Sequence, residues 1–134
     1  MIAETVPTGG YRFEWSDNGP YQIDTAPLIR GVVTDLAAGI EPTVISGKFH
    51  ASLVSEFTRL CRQLRRDTGL TRVVMSGGVF QNSILLAAMT RALESERFEV
   101  FSHRIVPSND GGISLGQAVV ASAKSGRKIS FNTR

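Results

Sequence analysis

The chain has 134 residues, 42% of them hydrophobic and 20% charged, with a formal net charge of +3. That is one domain with room for an apolar core, and no run approaches the ~20 apolar residues that a membrane-spanning helix needs. The single cysteine, Cys61, excludes an internal disulfide framework and any multi-cysteine zinc site.

Residues 1–10 are rich in Pro, Gly and Thr and read as a lead-in without its own structure. They lack the basic and long apolar regions of a secretory signal, so the expectation is a soluble, cytoplasmic protein. Residues 11–15 alternate apolar and polar side chains, residues 16–20 (Ser-Asp-Asn-Gly-Pro) carry turn chemistry, and residues 21–24 return. Together they predict a short β-hairpin. Thr25 is the expected N-cap of a helix over 26–38, with Pro27 in its first turn and Gly39 past its end. Pro42 opens a longer helix reaching about Arg66, closed by Gly69. Its apolar stripe is Ile45, Phe49, Leu53, Phe57, Leu60 and Leu64. His50 and Cys61 lie beside that stripe and read as packed or partly exposed helix residues.

The same helix carries Arg59, Arg62, Arg65 and Arg66. The last eleven residues add Lys124, Arg127, Lys128 and Arg134 with no acid, which leaves the rest of the chain with 11 basic and 12 acidic side chains. Neither cluster has interleaved aromatics on which bases could stack, so the expectation is a solvated helix face and a basic tail at 126–134, without a nucleic-acid partner.

Residues 71–75 form a β-rich run ending in Ser76-Gly77-Gly78. Residues 81–94 predict a helix burying Ile84, Leu85, Ala88, Met89 and Leu93, and residues 98–101 a second strand. A loop over 102–110 leads into a final helix from about Gly111 to Lys124. The second half is therefore β–α–β–α with two parallel strands and helical crossovers, an α/β arrangement.

Two loops in this half can carry chemistry. Ser76-Gly77-Gly78-Val79-Phe80-Gln81-Asn82 lies at the carboxyl end of a strand and leads into a helix. Adjacent glycines let an anion approach the main chain, and a helix start offers unpaired N–H groups. A tight turn with no ligand fits the same residues. Asn109-Asp110-Gly111-Gly112 follows the next strand, where Asp110 could ligate a hard cation or simply cap the last helix. Ligands of open α/β sheets sit beyond the carboxyl ends of strands, so two glycine-paired loops there favour a shared nucleotide site. Neither is a Walker loop or a dinucleotide fingerprint. His50 and His103 make no helical pair, no spacing brings Cys61 to His103, and Ser76 lacks the flanks of a nucleophile elbow. No catalytic side chain is assigned to this segment.

The stretch Val73-Val74-Met75-Ser76-Gly77-Gly78-Val79-Phe80-Gln81-Asn82, then Val106-Pro107-Ser108-Asn109-Asp110-Gly111-Gly112-Ile113-Ser114-Leu115-Gly116-Gln117-Ala118, closely resembles the C-terminal end of the HypF family. These are the carbamoyltransferases of NiFe-hydrogenase maturation. Asp24 to Leu36 and Lys48-Phe49-His50 are similar to it too, so the resemblance runs over residues 10–124. It implies a fragment of a ribonuclease-H-like, actin-like (ASKHA) lobe, similar to threonylcarbamoyl-transfer enzymes of tRNA modification. It also implies a subdomain over 11–125.

The implied chemistry converts carbamoyl phosphate and ATP into carbamoyl-adenylate, then passes the carbamoyl group to the C-terminal cysteine of HypE. Carried onto this chain, Gly77, Gly78, Val79 and Asn82 would contact the nucleotide, Gly111 and Gly112 would let the phosphates approach, and Asp110 would bind a divalent metal. The chain departs from the family in having no His-x-x-x-His helix, no upstream acylphosphatase-like, zinc-finger or YrdC-like modules, and Ser83 where an arginine is often found. It therefore reads as a piece of such an enzyme, inactive alone, with the remainder of the enzyme as its partner and an open strand edge inviting dimerisation or strand exchange. A non-catalytic module of the same fold and a tRNA threonylcarbamoyl-transfer relative are the alternatives.

Overall fold

The computed structural model describes residues 9–16 and 20–126. Most of the expected lead-in, the tip of the hairpin turn and the tail beyond 126 lie outside the described residues.

The hairpin forms as β1 (Glu14–Ser16) and β2 (Gln22–Asp24), antiparallel, with Trp15 opposite Ile23. α1 spans Ala26–Ala37, but Thr25 does not cap it. Thr25 already has helical angles (φ −90°, ψ −5°), whereas a capping residue needs extended backbone to turn its hydroxyl inward. Asp24 takes the role instead, its Oδ1 accepting from the Ala26 N–H at 2.8 Å. At the other end Gly39 adopts φ 73°, and the Ile40 and Gly39 N–H groups return to Asp35 and Leu36, a Schellman closure.

α2 (Pro42–Thr68) is about 40 Å long at 1.5 Å per residue and is closed by Gly69 in the left-handed region. The predicted stripe holds for Ile45, Phe49 and Leu53, but Phe57 and Leu64 are 45% and 40% exposed. The hairpin and the segment leading to it supply the reason. They cover a polar strip of α2, burying Ser52 and Glu56. Ser52 Oγ accepts the Tyr11 main-chain N–H at 2.7 Å, and Glu56 accepts the indole N–H of Trp15. These two polar side chains are tolerated there because each is hydrogen-bonded, whereas the buried Thr58 hydroxyl on the same helix has no partner among the described residues.

The arginines are likewise engaged. Arg59 stacks over Trp15 at 4.6 Å, Arg62 meets Glu96 at 3.5 Å, and Arg65 donates to the Glu96 carbonyl at 2.7 Å while covering the Phe98 ring. Arg59, Arg62 and Arg65 thus clamp α2 to the hairpin and to the turn after α3, while Arg66 is exposed, as expected, and donates to Gln63 within its own helix.

β3 (Arg72–Met75) pairs in parallel with β4 (Glu99–Ser102), Val73 beside Val100 and Met75 beside Ser102, as expected. The crossover differs in detail: residues Gly78–Gln81 form a 3-10 turn, and α3 begins only at Ser83 and runs to Ser95. Its buried line is Leu85, Met89 and Leu93, whereas Ile84, one residue round the helix, is 68% exposed. α3 closes in a second Schellman motif with Arg97 at φ 63°. α4 (Ile113–Lys124) follows a turn at Asp110–Gly112 and buries none of its residues.

Among the described residues, two apolar clusters hold α1, α2, α3, β3 and β4 together. Tyr11, Leu28 and Ile45 pack with Phe13, Val32 and Phe49; Met75, Leu85, Met89, Leu93 and Phe98 pack with Leu53, Val54 and Cys61, among others. α2 contributes to both and is the spine of the fold. No helix among the described residues is long and apolar enough to cross a membrane.

Candidate functional site

Parallel register places the carboxyl ends of β3 and β4 side by side, so the loops that follow Met75 and Ser102 leave the sheet at the same end. They are stitched together: the Gly77 N–H donates to the Ser108 carbonyl at 2.8 Å. Gly77 sits at φ 112°, ψ 160°, a backbone region essentially closed to residues with a Cβ. Its own N–H is spent on Ser108, but the next two, on Gly78 and Val79, donate to no acceptor among the described residues. A Cβ added at Gly78 would meet nothing within 4 Å, so the main chain is bare there.

Asn82 ends this loop. Its Oδ1 accepts from the N–H groups of Ile84 and Leu85, both at 3.1 Å, so it is the N-cap of α3. Its Nδ2 lies 2.8 Å from His50 Nε2, and His50 Nδ1 lies 2.8 Å from the Ser46 carbonyl. No spacing signal connects His50 with Asn82, and its place beside the apolar stripe of α2 predicts only a packed or partly exposed helix residue. A second such pair, Ser76 Oγ with His103 Nε2 at 2.8 Å, joins the roots of the two loops.

The second loop owes its glycines to its own closure. Asn109 Oδ1 accepts the Gly111 N–H at 3.0 Å, and the Asn109 carbonyl accepts that of Gly112. A Cβ on Gly112 would stand 2.9 Å from the Pro107 carbonyl oxygen, and one on Gly111 would crowd Asn109 at 3.1 Å. This close approach presents the Asp110 carboxylate to solvent just ahead of α4. Between the loops lies an open cleft of about 300 Å³, lined in part by Phe80, Gln81, His103, Arg104, Pro107 and Ser108.

No group of three or more His, Cys, Asp or Glu side chains that could hold a metal ion is present among the described residues. Asp110 is a lone carboxylate, which suits a hard cation bound through one or two carboxylates and completed by substrate phosphates, not a protein-only cage. Cys61 is half-buried against the larger core cluster, and burial pushes its thiol up from the usual range. It is no nucleophile for this site.

The family model for the second subdomain of the carbamoyltransferase Kae1-like domain matches residues 1–117. The chain is 43% identical over 102 residues to the carbamoyltransferase HypF of Rhodobacter capsulatus, covering 76% of this chain and 13% of that protein. It is 36% identical over 95 residues to the HypF of Synechocystis, covering 71% and 12%. A crystal structure of full-length HypF in its phosphate- and nucleotide-bound form superposes with a TM-score of 0.82 at 40% identity, covering 92% of this chain and 16% of that one. The chain thus spans only about an eighth of the curated relatives it matches.

Proposed function

Because the chain belongs to the HypF carbamoyltransferase family, we propose that it forms one wall of an ATP and carbamoyl-adenylate site in a cytoplasmic HypF-type enzyme. In that enzyme the carbamoyl group of carbamoyl phosphate passes to the C-terminal cysteine of HypE. The observation that carries the proposal is the Gly77–Ser108 hydrogen bond, which makes one surface of two glycine loops at adjacent strand ends.

The roles divide within that surface. Gly78 and Val79 offer main-chain N–H groups to phosphate oxygens, with Gly77 supplying the backbone turn that aims them. Asn82 fixes the far end of the loop from the edge of the nucleotide site. Gly111 and Gly112 close the second loop and bring the phosphates near Asp110. A divalent cation held by Asp110 together with those phosphates would neutralise their charge. The contribution of this segment is therefore orientation and charge balance, with no protein nucleophile.

The remaining ligands and the carbamoyl-phosphate chemistry come from the rest of the enzyme. The isolated chain, given ATP, magnesium, carbamoyl phosphate and a HypE C-terminal peptide, is expected to leave the peptide unmodified. Calorimetric titration with ATP and magnesium should nonetheless register binding that Gly78→Val abolishes. Carbamoylated peptide from this chain alone, or equal binding by the variant, would overturn the proposal.

A further inference from the structure

We propose that His50 is the positioning residue of the first glycine loop, and that it acts as a neutral imidazole carrying its proton on Nδ1. The assignment follows from hydrogen-bond inventory alone. Two backbone N–H groups, of Ile84 and Leu85, point at one end of the Asn82 amide, so that end is the oxygen. The other end is then the NH2 group, and its partner 2.8 Å away must accept. That partner is His50 Nε2. The other ring nitrogen faces the Ser46 carbonyl at 2.8 Å, which can only accept, so Nδ1 bears the hydrogen and Nε2 the lone pair. An imidazolium or the opposite tautomer would set N–H against NH2. Asn82 cannot turn over to meet it without abandoning both capping bonds.

Position gives this bond its consequence. His50 sits on α2 between Phe49, which packs in one apolar cluster, and Leu53, which packs in the other. There the spine is packed by both clusters at once. The loop 76–82 is thus tied at both ends, to the second loop through Gly77 and to α2 through Asn82. Between the ties lie Gly78 and Val79, whose N–H groups are the ones left for an anion. His50 touches no nucleotide in this scheme; it holds the residue that holds the loop. The effect on nucleotide affinity rests on the function proposed above, whereas the positioning role does not.

The test compares the unsubstituted chain with His50→Leu and His50→Gln. Long-range ¹H–¹⁵N spectra of the unsubstituted chain should show the His50 ring protonated at Nδ1 and bare at Nε2. His50→Leu should speed amide exchange at Ile84 and Leu85 about fivefold, the effect of a weakened helix cap, and weaken ATP–magnesium binding severalfold. His50→Gln, whose side-chain oxygen can accept from Asn82, should restore both to within about twofold. An Nε2-protonated ring, unchanged exchange in His50→Leu, or failure of glutamine to rescue would overturn the role. Should His50→Leu not fold, the ring tautomer and His50→Gln decide alone. Absence of ATP binding by the unsubstituted chain would sink the nucleotide reading, leaving tautomer and exchange to judge His50.

Discussion

The N–H of Gly77 donates to the carbonyl of Ser108 at 2.8 Å, across 31 positions of sequence, and so makes two loops into one surface. The bond is possible because Gly77 turns at φ 112°, where a side chain is not tolerated, immediately after a strand in parallel register with its neighbour.

Adjacent glycines should therefore respond differently to the same substitution. Gly77→Ala is expected to cost about 1–3 kcal/mol in urea denaturation, because the backbone must leave its angle or carry strain. Gly78→Ala places a methyl group in open space and should change stability by under about 0.5 kcal/mol while lowering ATP affinity. Equal stability losses would show that the loop does not hold the Gly77 conformation.

Gly31 on α1 lies beneath the Tyr11 ring, and a Cβ there would come within 2.6 Å of Cδ1. Gly31→Ala must push the ring out of its cluster with Leu28 and Ile45, at a cost of about 1–3 kcal/mol. A thermal midpoint unchanged by this variant would mean that the ring is not seated there.

Tyr11 also sets an alkaline limit. Burial first, and then the 2.7 Å hydrogen bond to Asp35, push its phenol up to about 12. The unfolded chain releases this proton near pH 10 and the folded chain only near 12, so the stability this phenol contributes is whole below pH 10 and is lost between the two. Asp35 works at the other extreme, held low by the Lys48 ammonium and then by Tyr11, so its contribution is lost as pH falls through the carboxylate range. Tyr11→Phe should lessen the alkaline fall in a denaturation series, leaving the parts owed to Tyr21 and Cys61, which are also raised in the folded chain; an identical pH profile would contradict this.

Arg97 closes α3 with φ 63°, a conformation that glycine adopts without the Cβ penalty. Arg97→Gly should stabilise the chain by about 0.5–1 kcal/mol, read as a rise in the urea midpoint at constant slope. A lower midpoint would show that the arginine side chain itself contributes more than its backbone costs.

The β3–β4 sheet has two strands among the described residues, and its Val74 and Phe101 are 72% and 44% exposed. A sheet this small with open edges is a template for pairing. Light scattering of the isolated chain should show concentration-dependent self-association that Val74→Lys weakens. A monodisperse monomer at all concentrations would count against it.

Much of this was legible in the sequence, and the exceptions have physical causes. Period-two alternation marked β1 and helical spacing marked α2 and α3, because those patterns report which face is buried; β3 and β4 showed as short β-rich runs, and α1 by its Pro and Gly ends. The helical spacing misplaced Phe57 and credited an apolar stripe where Ser52 and Glu56 are covered, since only the tertiary approach of Tyr11 and Trp15 makes a polar strip buriable. The Gly77 and Gly111 loops stood out by composition. The Gly77–Ser108 and His50–Asn82 bonds did not, being products of strand register and helix placement, not of any local spacing. The division of labour among the glycines was equally hidden. Gly112 is small for its own loop's carbonyl, whereas Gly78 faces open space, and only the three-dimensional neighbours separate the two cases.

The central claim is that the two loops are a single nucleotide-facing surface. It is tested most directly by following backbone amide shifts during titration with ATP and magnesium. The amides of Gly78 and Val79 should move together with those of Asp110 and Gly111, along one saturation curve. Shifts confined to one loop, or to the arginines of α2, would contradict it.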